Sequence, residues 1–269
     1  MLIPFVKANA GGNDFVIIEG KFAVGKFAEA TKQICDRHAG LGADGVEWIF
    51  PTQGADVHAR LFNADGGEAE ISGNGTRCVA AYVCANGFAP AEAYSAHNKT
   101  SVKILTGAGI KTCELVSHTE NEYEFAIAMG RPDVGEEVVI QLPGHDVIGI
   151  SVSMGNPHFV VFVDDFADGW QREAANIAKD PRFRRGTNVE LVKISDGANI
   201  EARLFERGVG ETQSSGTGSC ASAVAAISCG RAQSPVQVHA PGGTQTVSWD
   251  KEVILQGSAR LICRGEVFV

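Results

Sequence analysis

The chain predicts an α+β fold made of two similar, pseudo-symmetric domains, each a curved β-sheet around a central apolar helix. Three observations carry this reading. The tetrapeptide Ala-Arg-Leu-Phe occurs twice, at 59–62 and at 202–205. Thirteen residues after each start, a serine precedes a Gly-x-Gly: Ser72-Gly73-Asn74-Gly75 and Ser215-Gly216-Thr217-Gly218. The same offset of 143 residues carries Gly12-Asn13 onto Gly155-Asn156, Val46-Glu47 onto Val189-Glu190, Glu68 onto Glu211 and Gly87 onto Gly230. One gapless offset that fits so many separate places marks a duplicated domain.

Strand signals dominate the chain. The runs Asp14–Glu19, Val57–Asn63, Val102–Leu105, Tyr123–Met129, Phe159–Val163, Ile200–Phe205, Thr246–Trp249 and Val253–Leu255 are β-branched or alternating and are bounded by Gly, Pro, Asn or Asp. Four segments read as helices: Phe27–Asp36, Gly75–Ala85, Trp170–Lys179 and Gly218–Ser228. The second and fourth are rich in Ala and Val nearly all round, which predicts two central, buried helices. They end at Asn86-Gly87 and Cys229-Gly230, where glycine can take the left-handed C′ conformation. The polar stretch Ser117–Asn121 places the domain boundary, with an N-terminal domain of residues 1–117 and a C-terminal domain of residues 118–262. The tail 263–269 continues the offset, with Phe268 on Phe125, and is expected to return as a strand completing the first domain's sheet.

Composition bounds the function. The 269 residues suffice for two ordinary domains, and 44% hydrophobic with 20% charged residues describes a soluble globular protein. A net charge of −9 argues against nucleic acid and against an anionic membrane surface. The seven cysteines are odd in number and include no C-x-x-C, so neither a disulfide framework nor a zinc site is indicated. Met1–Lys7 is too short and too early-charged for a secretory signal, and no apolar run reaches the ~18 residues that span a bilayer. The expected compartment is the cytoplasm, with no metal and no cofactor.

A Gly-x-Gly at a helix start leaves backbone N–H groups pointing outward with the helix dipole behind them, and a carboxylate can sit there. Two such turns facing one cleft would hold a small carboxylic acid with its α-carbon between Ser72 and Ser215. That arrangement suits removal of a proton on one face and delivery on the other. A single Ser-Gly-x-Gly reads as plain capping. The pair reads differently, because each turn lies in a longer matching block beside polar residues, Asn63-Ala64-Asp65-Gly66 in one half and Glu206-Arg207-Gly208 in the other. Glu206-Arg207 is either a surface ion pair or a clamp for a zwitterionic amino-acid group.

At these residues the chain resembles the diaminopimelate epimerase family of pyridoxal-independent amino-acid epimerases. The matching stretches are Gly12–Phe15, Phe62–Gly66, Ser72–Cys78, Met154–His158, Gly186–Val189 and Glu206–Thr212, running on into Gly216-Thr217-Gly218. The resemblance implies a two-domain fold with the active site between the domains. It implies conversion of LL- to meso-diaminopimelate, a step of lysine biosynthesis, on a small amino-acid substrate, and it allows a homodimer. It further implies that Asn13, Asn63, Asn156, Asn188, Glu206 and Arg207 hold the substrate, and that the N–H groups of Gly73-Asn74 and Gly216-Thr217 hold its α-carboxylate.

Two departures stand out. The resemblance implies a cysteine before each Gly-x-Gly as acid and base, where this chain has Ser72 and Ser215, and Asn9-Ala10-Gly11-Gly12 replaces the expected His-Gly-x-Gly. A thiol titrates near 8.5, whereas a hydroxyl starts several units higher at about 1.4 kcal/mol per unit. A helix dipole returns only ~0.3–2 kcal/mol. Ser72 and Ser215 therefore need a neighbour to deprotonate them, and the resemblance nominates His158 and Glu206. Three readings stay open: a family member with altered chemistry or substrate, a Cys→Ser double variant that traps a ligand, and a non-catalytic amino-acid-binding protein.

Overall fold

The computed structural model describes residues 1–22, 25–86 and 101–269. Within them the chain forms two units, Met1–Ile127 with Gly257–Val269, and Ala128–Gln256. In the first unit β1 (Leu2–Ala10) pairs antiparallel with β2 (Asn13–Glu19). A 3-10 turn at Gly20–Phe22 and α1 (Phe27–Cys35) follow. The chain then returns as β3 (Gly45–Phe50), parallel to β2, and as β4 (Val57–Asn63), antiparallel to β3. The short β5 (Glu68–Ala69) pairs with the end of β4 and leads into α2 (Gly73–Asn86). Next come β6 (Ser101–Thr106), parallel to β4, and the antiparallel β7 (Gly109–His118) and β8 (Glu122–Gly130).

The second unit repeats the order. β9 (Asp133–Leu142), β10 (His145–Ser153) and β11 (Pro157–Phe162) form an antiparallel run. After α3 (Trp170–Ala178), β12 (Asn188–Ile194) lies parallel to β11 and β13 (Asn199–Glu206) antiparallel to β12. β14 (Gly210–Thr212), α4 (Gly216–Ser228), β15 (Val236–Ala240), β16 (Gly243–Trp249) and β17 (Val253–Phe268) complete it, with β15 parallel to β13 as β6 is to β4. The first part of β17 pairs with β16 and its last part with β1, from Asn9↔Arg260 to Leu2↔Phe268.

The α+β reading and the buried central helices hold. α4 is buried along its whole inner length, and Cys220, Val224 and Ala225 pack with Val152, Val160, Leu204 and Val238. The opposite sheet face carries α3, where Trp170 and Ile177 meet Phe159, Val161, Val189 and Leu191. In the first unit Val46 and Trp48 of β3 pack on the α1 side with Ile34 and Val16. Alternation along a strand then sends Glu47 to the α2 face and, in β12, Glu190 to the α4 face.

Two helix starts differ from expectation. α2 begins at Gly73 and α4 at Gly216, so each Gly-x-Gly forms the first helical turn itself. The cause is the preceding serine. Ser215 sits in extended backbone as the N-cap, its Oγ accepting from Gly218 N at 3.2 Å, and Ser72 Oγ accepts from Gly75 N at 3.1 Å. At the other end Gly230 takes φ +67, the expected left-handed C′ geometry, while Gly87 lies outside the described residues. The strand begun at Val253 runs on to Phe268. The expected runs correspond to β2, β4, β6, β8, β11, β13, β16 and the start of β17; among the strands outside them, β9 buries only Ile140 and shows no clean alternation.

The buried Trp48 donates through Nε1 to Thr31 Oγ1 at 3.0 Å. Thr31→Val keeps the shape and strands that donor. It should cost about 1–3 kcal/mol of unfolding free energy in urea titrations, and an unchanged midpoint would show that the indole N–H finds another acceptor.

Candidate active site

Both helix starts are built to one plan. Position 13 of the first unit and position 156 of the second are related by the repeat and are both asparagine. Each bonds to the second residue of its helix. Asn74 Nδ2 donates to Asn13 Oδ1 at 2.8 Å, and Asn156 Nδ2 donates to Thr217 Oγ1 at 3.3 Å. The backbone N–H groups of Gly216 and Thr217 have no acceptor among the described residues, as expected for the first positions of a helix. That pair of donors, with the dipole behind it, suits a carboxylate.

The supports behind the asparagines differ between the units. In the first, Asn13 Nδ2 donates to Asp44 Oδ2 at 3.0 Å, and Arg37 Nη2 reaches Asp44 Oδ1 and Asp14 Oδ1, each at 2.8 Å. Burial works to raise Asp14, but its bonds to Arg37 and Lys7 outweigh that and hold its carboxyl below the usual range. On the other side Asn74 Oδ1 accepts from the buried Arg77. A charged, hydrogen-bonded chain thus fixes Asn13 and Asn74. In the second unit the support is His158, 1% exposed. Its Nε2 lies 3.1 Å from Asn156 Oδ1 and its Nδ1 2.7 Å from Glu190 Oε1. With the amide of Asn156 donating to Thr217, its Oδ1 must accept, so His158 Nε2 carries a proton. One further proton is shared between Nδ1 and Glu190.

Under each first turn lies a buried glutamate. A Cβ built on Gly75 would meet Glu47 Oε1 at 2.1 Å and Ser72 Cβ at 3.3 Å. A Cβ on Gly218 would meet Glu190 Oε1 at 3.0 Å and Ser215 Cβ at 3.1 Å. The second glycine of each Gly-x-Gly lets the carboxyl lie close beneath the first turn. Burial alone pushes Glu47 up to about 8. Burial also raises Glu190; attraction to His158 opposes this, and the nearby Glu206 adds to it. The sequence reading used both glutamates only as repeat markers. The missed signal was an acid inside two apolar strands, Val46-Glu47-Trp48-Ile49 and Val189-Glu190-Leu191-Val192.

The remaining expected site residues line the strand ends. Asn188 Oδ1 accepts from the backbone N–H of Arg207 at 2.8 Å, which ties the end of β12 to the turn after β13. Arg207 Nη1 donates to Arg185 O at 2.8 Å, and Arg207 borders a groove also lined by Lys179, Arg184, Arg185 and Phe205. Glu206 closes β13, and its repeat partner Asn63 closes β4, each followed by a turn with a left-handed glycine, Gly208 at φ +84 and Gly66 at φ +81. Asn63 is exposed. Ser72 is half-buried and Ser215 is 7% exposed. Both ring nitrogens of His158 face Glu190 and Asn156. Among the described residues no group of three or more His, Cys, Asp or Glu is placed to hold a metal, and no helix is long and apolar enough to cross a membrane.

A family model described as diaminopimelate epimerase matches residues 5–134 and 150–262. The diaminopimelate epimerase of Halothermothrix orenii is 35% identical over 292 residues, covering 100% of this chain and 99% of its own. That of Carboxydothermus hydrogenoformans is 36% identical, covering 99% and 100%. Among solved structures, a phenazine biosynthesis protein of the PhzF family from Bacillus anthracis matches with a TM-score of 0.75 at 15% identity, covering 100% of both chains. A hydroxyproline epimerase from Agrobacterium vitis matches with 0.70 at 14%, covering 99% of this chain and 92% of its own. At these identities the structural likeness is one of fold.

Folding moves the Glu47 carboxyl from an ordinary value of 4.5 to about 8. The folded chain keeps a proton that the unfolded chain releases between those values. Stability is full below pH 4.5 and falls as pH rises towards 8, by at most on the order of 4–5 kcal/mol. Glu47→Gln removes this dependence, so melting curves of parent and variant should diverge from about pH 5 to pH 8 in the variant's favour. Parallel curves would contradict an uncharged Glu47 at neutral pH.

Proposed function

Because the chain belongs to the diaminopimelate epimerase family, we propose that it is an epimerase-like isomerase that inverts the α-carbon of a small amino acid by two-sided proton transfer, with diaminopimelate as substrate. One observation carries the reading: each unit presents a serine hydroxyl at the first turn of a buried helix, beside an asparagine bridged to the helix's second residue. The N–H groups of Gly73-Asn74 and Gly216-Thr217 hold the α-carboxylate. Ser72 and Ser215 address the two faces of the α-carbon, one removing a proton and the other supplying one. Carboxylate binding at two helix starts also stabilises the negative charge that develops as the proton leaves.

Each of the other residues has a place in this scheme. Asn13 and Asn156 orient the bound carboxylate and amine. His158 and Glu190 form the proton reservoir of the second unit, with Glu206 beside them. Asn63, Asn188 and Arg207 read the distal end of the substrate. Acid–base groups of this kind need no pyridoxal phosphate. We place the reaction in the cytoplasm, in lysine biosynthesis, with the chain working as a homodimer.

Hydroxyls are weak bases at neutral pH, so exchange should be slow in the parent. In deuterated buffer, NMR of LL-diaminopimelate should show slow α-proton loss for the parent and a rate higher by orders of magnitude for Ser72→Cys with Ser215→Cys. Each single change should give far less, because the two groups act as a unit. A double variant that neither exchanges nor binds diaminopimelate would end this assignment of substrate. Tight binding by the parent with no exchange in any variant would identify an amino-acid-binding protein.

Arg207→Ala should weaken diaminopimelate binding by about tenfold or more through loss of a charge-assisted pair with the distal carboxylate. Calorimetry on the parent and variant tests this, and an equal Kd for every dicarboxylic amino acid would remove Arg207 from the site.

A further inference from the structure

The first unit holds a buried acid that this scheme leaves idle. Glu47 is 3% exposed, and no hydrogen bond or ion pair reaches its carboxyl among the described residues. Burial is the one influence on its titration. An unpartnered buried carboxyl is costly, and a leucine would fill the same strand position between Val46 and Trp48 without that cost. The repeat sharpens the point. Glu190, its counterpart, has His158, whereas the counterpart of His158 in the first unit is Phe15, which offers no hydrogen bond.

What Glu47 does have beside it is the serine turn. Its Oε1 lies 2.1 Å from the point where a Cβ on Gly75 would sit, and the Ser72 Cβ lies 3.3 Å from that same point. The positive end of α2 lies above it. The packed elements also carry Arg77, Cys78, Tyr82 and Cys84 on α2, Asp14 and Glu19 on β2, and His58 and Arg60 on β4; Cys78 senses Glu47, Arg77 and Asp14 through space. Arg77 is bound to Asn74 and to Ser258 O, Asp14 is paired with Lys7 and Arg37, and burial keeps Cys78 a thiol. None of these last three bonds to Glu47.

We propose that Glu47 is the proton-holding partner of Ser72, a positioning residue that acts through the serine and never touches the substrate. The proposal rests on Ser72 being the acid–base group of its unit. In the forward step Ser72 Oγ takes the α-proton while its own hydroxyl proton passes to the Glu47 carboxylate. The α-carbon keeps the electron pair, Ser72 remains a hydroxyl, and Glu47 becomes a neutral acid. The reverse step returns the proton from Glu47 through Ser72 to the α-carbon. The two units thus reach the same end by different means: a carboxyl acting directly in the first, and a carboxyl paired with a histidine in the second.

The first test needs no substrate. In a Ser72→Cys protein, alkylation of the introduced thiol by iodoacetamide is followed against pH by mass spectrometry of the peptide that carries it, with Glu47 intact and with Glu47→Gln. An adjacent carboxylate holds the thiol protonated, so the Gln variant should react at least about threefold faster at about pH 8. Superimposable profiles overturn the proposal. Glu47→Leu gives the same reading where Gln impairs folding. The second test follows α-proton exchange in the otherwise unaltered protein. Glu47→Gln should lower it at least about tenfold with KM unchanged and remove the rise in rate that leads to about pH 8, and Glu47→Asp should restore part of it. Equal exchange in parent and Gln variant overturns the relay. A shifted alkylation profile in a protein that exchanges no α-proton upholds the coupling of Glu47 to position 72 and refutes the epimerase reading instead.

Discussion

A single missing methyl group organises each half of this protein. The third residue of each central helix approaches the strand beneath it so closely that a Cβ would overlap or crowd a glutamate oxygen, at 2.1 Å for Gly75 and 3.0 Å for Gly218. Glycine there permits a carboxyl to lie under the first helical turn. The helix N-terminus favours that carboxyl's negative form, and its burial favours the neutral one. The serine cap, the glycine and the glutamate form one unit: the cap oxygen takes the N–H of the glycine that makes room for the acid.

The duplication preserves this unit and varies its surroundings. Both halves keep the asparagine that bonds to the second helical residue. In the first half that asparagine leans on Asp44 and through it on Arg37. In the second half it leans on His158 and Glu190, two titratable groups that share a proton.

The hydroxyl at positions 72 and 215 gains meaning from this setting. A serine at a helix start is a good cap and a poor base. A carboxyl raised by burial is a better match for a hydroxyl's proton than an ordinary one, because the gap between their affinities is smaller.

Much was legible in the sequence. The repeat, the two apolar helices with their serine caps, the C′ glycine at Gly230 and eight of the seventeen described strands follow from spacing and composition, because capping chemistry and strand periodicity act over a few residues. The matching blocks carried the family as well. Four features required the tertiary structure: where the helices start, the unbroken run of β17 from Val253 to Phe268, the engagement of both nitrogens of His158, and the burial of Glu47 and Glu190. Alternation says which residues share a strand face, but not which face a helix will cover. Val46-Glu47-Trp48 is buried on both faces, so a charged side chain in it reads as an irregularity until the first turn of α2 is seen to lie over it. The pairing of His158 with Glu190 spans 32 residues and depends on the parallel register of β11 on β12, a long-range contact that local sequence does not encode.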